Sequence, residues 1–127
     1  MDYVTLSIEA NESAGAGETW YAVVPWPGTW RLEHAYFMPD TTTATDSTDY
    51  TTLALRNAAD GADVGSLTTN ATGGAALTAG TASAFTLSGD LEYLGQTEEL
   101  KITKTDAASG KAVEGRFVLA FRKFRAS

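Results

Sequence analysis

His34 is the single histidine of this 127-residue chain, and the chain has no cysteine. A catalytic histidine needs a nucleophile or a carboxylate within hydrogen-bond reach, and no nucleophile-elbow, phosphate-loop or dinucleotide-binding motif accompanies this one. His34 alternates with Leu32 and Tyr36 on a strand face that we expect to be buried. We therefore predict a structural histidine. The missing cysteines exclude disulfides and thiolate metal sites.

The carboxylates are the other side chains with catalytic potential, because a glycosidase needs only two. Glu98 and Glu99 are adjacent, so on a strand they point to opposite faces. The chain has no EF-hand spacing for the several oxygen ligands that calcium requires. We expect solvated acids, no metal, no cofactor and no enzymatic activity. The acids considered in loops and turns are Asp46, Asp49, Asp60 and Asp63.

Four aromatic residues lie within eleven positions: Trp20, Tyr21, Trp26 and Trp30. Exposed, coplanar rings on a β-sandwich can stack on sugar rings. Alternatively, Trp20 and Trp30 fill the core while Trp26 covers a turn. Because Trp26 stands beside the turn residues Pro27 and Gly28, we expect it to be the exposed one of the three tryptophans.

The charge distribution is uneven around a net charge of −7. Residues 1–100 hold 14 acids and two bases, whereas residues 101–127 hold seven bases and two acids. The acidic total argues against nucleic acid as a partner. The basic end contains Arg122, Lys123 and Arg125, and it is either a solvated strand that balances the acidic body or a contact for an acidic partner surface.

Alternating apolar and polar residues predict about eight strands, at residues 4–9, 18–25, 30–38, 49–56, 64–69, 82–87, 99–105 and 112–124. Turn signals separate them, and no linker or repeat divides the chain. We predict an all-β protein with one domain over residues 1–127, an antiparallel, jelly-roll-like β-sandwich.

Several finer predictions concern individual strands. The second strand is apolar on both faces, so we expect it to be central or covered on both sides. The turn at residues 26–29 predicts a hairpin of strands two and three, and residues 106–110 predict a second hairpin loop. We predict that residues 1–10 form a strand or an arm in contact with another chain. The inward face of the last strand is predicted to carry Val113, Gly115, Phe117, Leu119 and Phe121.

No apolar run approaches the roughly 20 residues of a membrane span, and the acidic, alternating start differs from a signal peptide. We expect a chain made in the cytoplasm with no membrane partner.

A resemblance extends over about residues 48–124. It rests on residues 48–57 (TDYTTLALRN), 65–74 (GSLTTNATGG), 77–80 (LTAG) and 85–89 (FTLSG). This pattern resembles small head-decoration proteins and other virion structural proteins of tailed bacteriophages. The resemblance implies a β-sandwich that binds the major capsid protein lattice on the outer surface of the virion, often as a homotrimer, and stabilises the head. It supplies no catalytic residues.

A carbohydrate-binding or adhesin-like module is the alternative interpretation. A phage tail or fibre component is a further interpretation, closely related to capsid decoration. The residues that we predict to contact a partner are Arg116, Arg122, Lys123, Arg125, Trp26, Tyr21 and Val4.

Overall fold

The backbone forms two antiparallel sheets. The computed structural model of the chain describes residues 3–57, 62–87, 93–95 and 98–125. Its strands are β1 (Tyr3–Glu12), β2 (Glu18–Val23), β3 (Thr29–Pro39), β4 (Tyr50–Asn57), β5 (Ala62–Thr68), β6 (Ser83–Ala84), β7 (Thr86–Leu87), β8 (Tyr93–Gly95), β9 (Glu99–Ala107) and β10 (Val113–Arg125). No helix in these ranges is long and apolar enough to cross a membrane.

The first sheet has the order β1-β10-β3-β6, with β8 also paired to β3. The second sheet has the order β2-β9-β4-β5-β7. The sheets pack face to face, which confirms the predicted β-sandwich.

Phe117 on β10 joins the two layers of the core. Its ring lies 5.2 Å from the ring of Trp20 on β2 and 5.1 Å from that of Phe37 on β3. Trp20 belongs to the second sheet and Phe37 to the first. The predicted inward face of the last strand is confirmed, because all five of its residues are buried.

Both predicted hairpins are wrong. β2 pairs with β9, while β3 pairs with β10, so the turn before β3 carries the chain from one sheet to the other. Residues 106–110 likewise connect β9 in the second sheet to β10 in the first. A turn motif specifies a reversal of the chain, but it does not specify whether the strands pair beside each other or face each other across the core.

β2 is an edge strand, which corrects the expectation that it is central or covered on both sides. Its inner residues Trp20 and Ala22 face the core, while Tyr21 and Val23 on its outer face are exposed. β1 is the corresponding edge of the first sheet and pairs with β10 of its own chain over ten residues.

His34 is exposed, not buried as predicted, because β3 contains a β-bulge. Leu32 pairs with Phe121 and His34 pairs with Ala120, so Glu33 is the extra residue. A bulge shifts the alternation of a strand by one position. Even-numbered residues therefore face the core before the bulge, and odd-numbered residues face it afterwards.

The predicted sixth strand is divided between the sheets. Ser83–Ala84 pairs with β3, and Thr86–Leu87 pairs with β5. The two long loops contact each other through bridges from Thr43 to Leu77 and from Asp46 to Asn70.

Candidate functional site

The outer face of the first sheet presents a grid of side chains from β1, β10, β3 and β6. One row consists of Glu9, Arg116 and Met38, the next of Ser7, Val118, Tyr36 and Ala84, and the third of Thr5, Ala120 and His34. We call this grid the Arg116 face. At a strand spacing of about 4.8 Å, it is roughly 14 Å wide.

The centre of the Arg116 face is apolar and its margin is polar. Val118, Tyr36, Met38 and Ala120 are half-buried, although no further layer covers this side of the sheet in the described chain. The ring of Tyr36 stacks on that of His34 at 6.0 Å between centroids. Arg116 is exposed at the margin, directly across from Glu9. An apolar centre with Tyr, Met and Arg is typical of protein–protein contacts.

The basic end is largely occupied by contacts within the chain. The Arg122 Nε lies 2.6 Å from the Glu33 Oε1, and the two side chains form an ion pair. The Lys123 ammonium lies 5.9 Å from the centre of the Trp30 ring, a cation–π arrangement. The side chain of Arg125 lies outside the described residues. The compact basic patch expected from the sequence is therefore divided, and among the predicted basic residues whose side chains are described, Arg116 is the exposed one.

Trp26 is partly buried and packs on the core, as Trp20 does, so it is not the exposed tryptophan that the sequence predicts. Its ring lies 5.3 Å from that of Trp30 and is tilted by 52°. The Trp30 Nε1 donates to the Pro27 carbonyl at 3.1 Å, which fixes the ring in the turn. These rings do not form a coplanar platform for a sugar. Val4 also packs against the core rather than outward.

No family model, curated protein or solved structure matches this chain.

The second candidate surface is the outer face of β2. Tyr21 is 54% exposed and Val23 is 43% exposed, and they are the large apolar residues that the described chain leaves most open to solvent. Their neighbours on β9 are Lys101 beside Tyr21 and Glu99 beside Val23. Paired apolar side chains on a free sheet edge are a characteristic docking site for another strand.

Lys104 is a buried cation that the sequence interpretation missed. It follows Leu100 and Ile102 on the inner face of β9, and its side chain is 0% exposed. Its Nζ donates to the carbonyls of Ser13 and Ala16 at 3.1 and 2.7 Å. The alternation of Leu100, Ile102 and Lys104 places all three on one face of β9, and this pattern could have predicted the burial of Lys104. Lys104 secures the loop between β1 and β2 to the end of the sandwich.

Asp106 balances this charge and extends the network. Its Oδ1 accepts a hydrogen bond of 2.7 Å from the Thr51 hydroxyl, and the Thr51 oxygen accepts the Lys111 backbone N–H at 2.7 Å. Burial alone would raise the pKa of the Asp106 carboxyl. Hydrogen bonds from Lys104 and Thr51, together with the attraction of the ammonium, outweigh burial and lower that pKa below its usual value. All these contacts hold loops and strands together, which is a structural role.

The loop carboxylates also make structural contacts. The Asp46 Oδ1 accepts the backbone N–H groups of Thr48 and Asp49 at 2.8 and 3.0 Å, and these bonds lower the pKa of Asp46. Asp63 pairs with Arg56 at 3.0 Å. Asp60 lies outside the described residues. Within the described ranges, no group of three or more His, Asp or Glu side chains is placed to hold a metal ion.

A groove of about 480 Å³ lies between β5 and the loop that precedes β6. Its lining includes Ser66, Thr68, Gly73, Gly74 and Ser83, and none of the described residues that line it is acidic, basic or histidine. The groove therefore offers hydroxyl and backbone groups to a ligand, but no group that titrates near neutral pH.

Proposed function

We propose that this chain is a non-enzymatic structural protein of a tailed-phage virion, which binds the outer surface of the assembled capsid and stabilises the head. The sequence resemblance over residues 48–124 suggests this role. The observation that carries the proposal is the Arg116 face, where no layer of the described chain covers four half-buried apolar side chains on a rigid sheet. The capsid lattice is the proposed partner.

The Arg116 face is suited to a broad protein surface. The face is supported by β10 and β3, the two longest strands, and their inner residues fill the core. A sheet fixed in this way loses little conformational freedom on binding, which favours affinity for a rigid lattice. Tyr36, Met38 and Val118 supply the apolar contact area, and Arg116 can pair with a carboxylate at its margin.

Co-sedimentation with expanded tailed-phage heads that lack their decoration protein tests the proposal. We expect the chain to pellet with the heads, and Val118→Lys to weaken binding at least about tenfold, since it places a charge in the apolar centre. Ser66→Lys is the matched control, because Ser66 is exposed on the outer face of the second sheet. A chain that stays in the supernatant, or a Val118→Lys variant that pellets as the parent does, would overturn this assignment of the surface.

The carbohydrate-binding alternative is tested by a glycan array. The aromatic residues give this alternative little support, because the rings of Trp26 and Trp30 pack on each other at an angle and form no flat surface for a sugar. Binding to a sugar that Trp26→Ala abolishes, in a variant that retains the fold by circular dichroism, would favour the alternative over capsid binding.

A further inference from the structure

β2 has one row of backbone groups that no strand of the described chain pairs with. The Val24 N–H donates to the Glu98 carbonyl at 3.3 Å, continuing the pairing of β2 with β9. Successive peptide groups in a strand point to opposite sides. The N–H and C=O groups of Tyr21 and Val23 therefore point away from β9, toward the free edge.

The free edge is blocked at both ends. The Glu18 Oε1 accepts the Thr19 N–H at 2.8 Å, so this outward donor is already occupied. At the other end, Pro25 has no N–H to donate. What remains is a short segment over residues 21–23 with two donors and two acceptors, which we call the open edge.

We propose that the open edge pairs with the open edge of a second copy of this chain, antiparallel, with Tyr21 of each copy opposite Val23 of the other. Ala22 then lies at the two-fold axis. Each Tyr21–Val23 pair exchanges two backbone hydrogen bonds, so four form in total and every free donor and acceptor of the segment is used. The two exposed apolar side chains become cross-strand neighbours, and each covers the other.

The charges on β9 are compatible with this register, and the occupied Thr19 N–H favours it. Lys101 lies beside Tyr21 and Glu99 beside Val23. In the proposed pairing, each row across the dimer begins with Lys101 of one copy and ends with Glu99 of the other. In the alternative register, Tyr21 of one copy would lie opposite Tyr21 of the other, and Lys101 would stand at both ends of that row. Thr19 would then lie opposite Val23 and would need its N–H for the pairing, but that N–H already donates to Glu18.

The contact is small, which sets the affinity to be expected. Two residues from each chain supply the pairing, well below the area of a standard stable interface. We expect a Kd between about 1 µM and 1 mM. This dimer does not depend on capsid binding, which the Arg116 face mediates on the other sheet. A homotrimer would need a different surface, since a two-fold contact closes at two subunits.

Light scattering across concentrations up to about 1 mM tests the dimer. We expect the mass to rise from one chain to two, and Val23→Lys to weaken the dimer at least about tenfold, because it places two cations beside the axis. Asn11→Lys is the matched control, since Asn11 is exposed on β1, the free edge of the other sheet, and is not part of the Arg116 face. A monomer at all concentrations, or an oligomer that Val23→Lys leaves intact, overturns the proposal.

Single cysteines test the register, because the chain has none of its own. Residues opposite each other in a hydrogen-bonded pair have Cα atoms about 5.5 Å apart, within disulfide range. Mixing the Tyr21→Cys and Val23→Cys proteins under mild oxidation should give a covalent dimer that contains both chains. Tyr21→Cys alone should give none. Cross-linking of Tyr21→Cys with itself, without the mixed product, would contradict the register.

Discussion

The Lys104 ammonium donates to both carboxylate oxygens of Asp106, at 2.8 and 2.7 Å, and the two side chains are 0% and 8% exposed. Because Lys104 also bonds two carbonyls of the loop before β2, this single pair connects that loop to β9. Thr51 extends the connection to β4. An interior ion pair of this kind matters most when one partner is removed, since the other charge then remains without its counter-ion.

Asp106→Ala should therefore lower the free energy of unfolding by about 3–5 kcal/mol. Lys104→Met should cost less, because the remaining Asp106 carboxylate keeps its bond from Thr51 and is the more exposed partner. Urea denaturation of the two variants measures both values. A loss for Asp106→Ala equal to or below that for Lys104→Met would contradict the view that the uncompensated ammonium is the costly species.

The same carboxylate should make stability depend on acid. The folded-state pKa of Asp106 lies below its ordinary value of 3.8, so the folded chain binds this proton less readily than the unfolded chain. The stabilisation is complete above that ordinary value and is lost as pH falls through the lower, folded-state pKa. The pKa of Asp46 is also lowered in the folded chain, so its contribution to stability is likewise lost in acid. We expect a stability that stays level near neutral pH and falls below about pH 4.

Asp106→Asn is the control for the pH experiment, because it removes the titrating group and keeps the shape. Thermal melts between neutral pH and pH 2 should show a shallower acid decline for this variant than for the parent chain. An equal decline in both proteins would assign the acid sensitivity to other carboxylates.

Gly110 supports the position of Asp106 from the loop between β9 and β10. Its φ is +62°, and a Cβ at this position would overlap the Asp106 side chain. Gly110→Ala should destabilise the fold by both the backbone conformation and the overlap. Gly80→Ala is the matched control, because Gly80 has a φ of +77° but open space around a Cβ. Denaturation midpoints should fall further for Gly110→Ala, and equal losses would show that the overlap is relieved without cost.

Alternation in the sequence predicted the parts of the core that repeat with a period of two. The inward residues of β10 and the pair Leu100 and Ile102 on β9 lie where this pattern places them. The alternation did not predict the burial of Lys104, because a charged residue interrupts the apolar face of β9. Its burial depends on carbonyls of Ser13 and Ala16, which are about 90 positions away in sequence and become neighbours only after folding.

The strand pairing was harder to predict than the strands. The turn motifs predict reversals of the chain, and the chain does reverse there. The turns at residues 26–29 and 106–110 nevertheless cross between the sheets, because a short turn suits both a hairpin within one sheet and a crossing to the other. The exposure of Tyr21 and Val23 follows from the edge position of β2, which depends on strand order and not on local pattern. The cluster of basic residues at Arg122 predicts a partner surface, whereas the contact of Arg122 with Glu33 depends on the antiparallel pairing of β10 with β3, which the sequence does not reveal.

The bulge at Glu33 gives the most specific prediction about the fold. Leu32 and Ala35 are both buried, whereas Glu33 and His34 between them are not, so the strand carries one residue more than strict alternation allows, and the bulge accommodates it with both apolar halves inward. Deleting Glu33 removes this extra residue, and Leu32 and His34 then follow each other in register with Phe121 and Ala120 without a bulge. We expect the deletion variant to keep its apolar residues inward and to unfold cooperatively in a thermal melt. Glu33→Ala keeps the residue count and loses only the pair with Arg122, so it should cost about 1 kcal/mol or less. A deletion variant that loses cooperative unfolding while Glu33→Ala retains it would contradict the assignment of Glu33 as the extra residue.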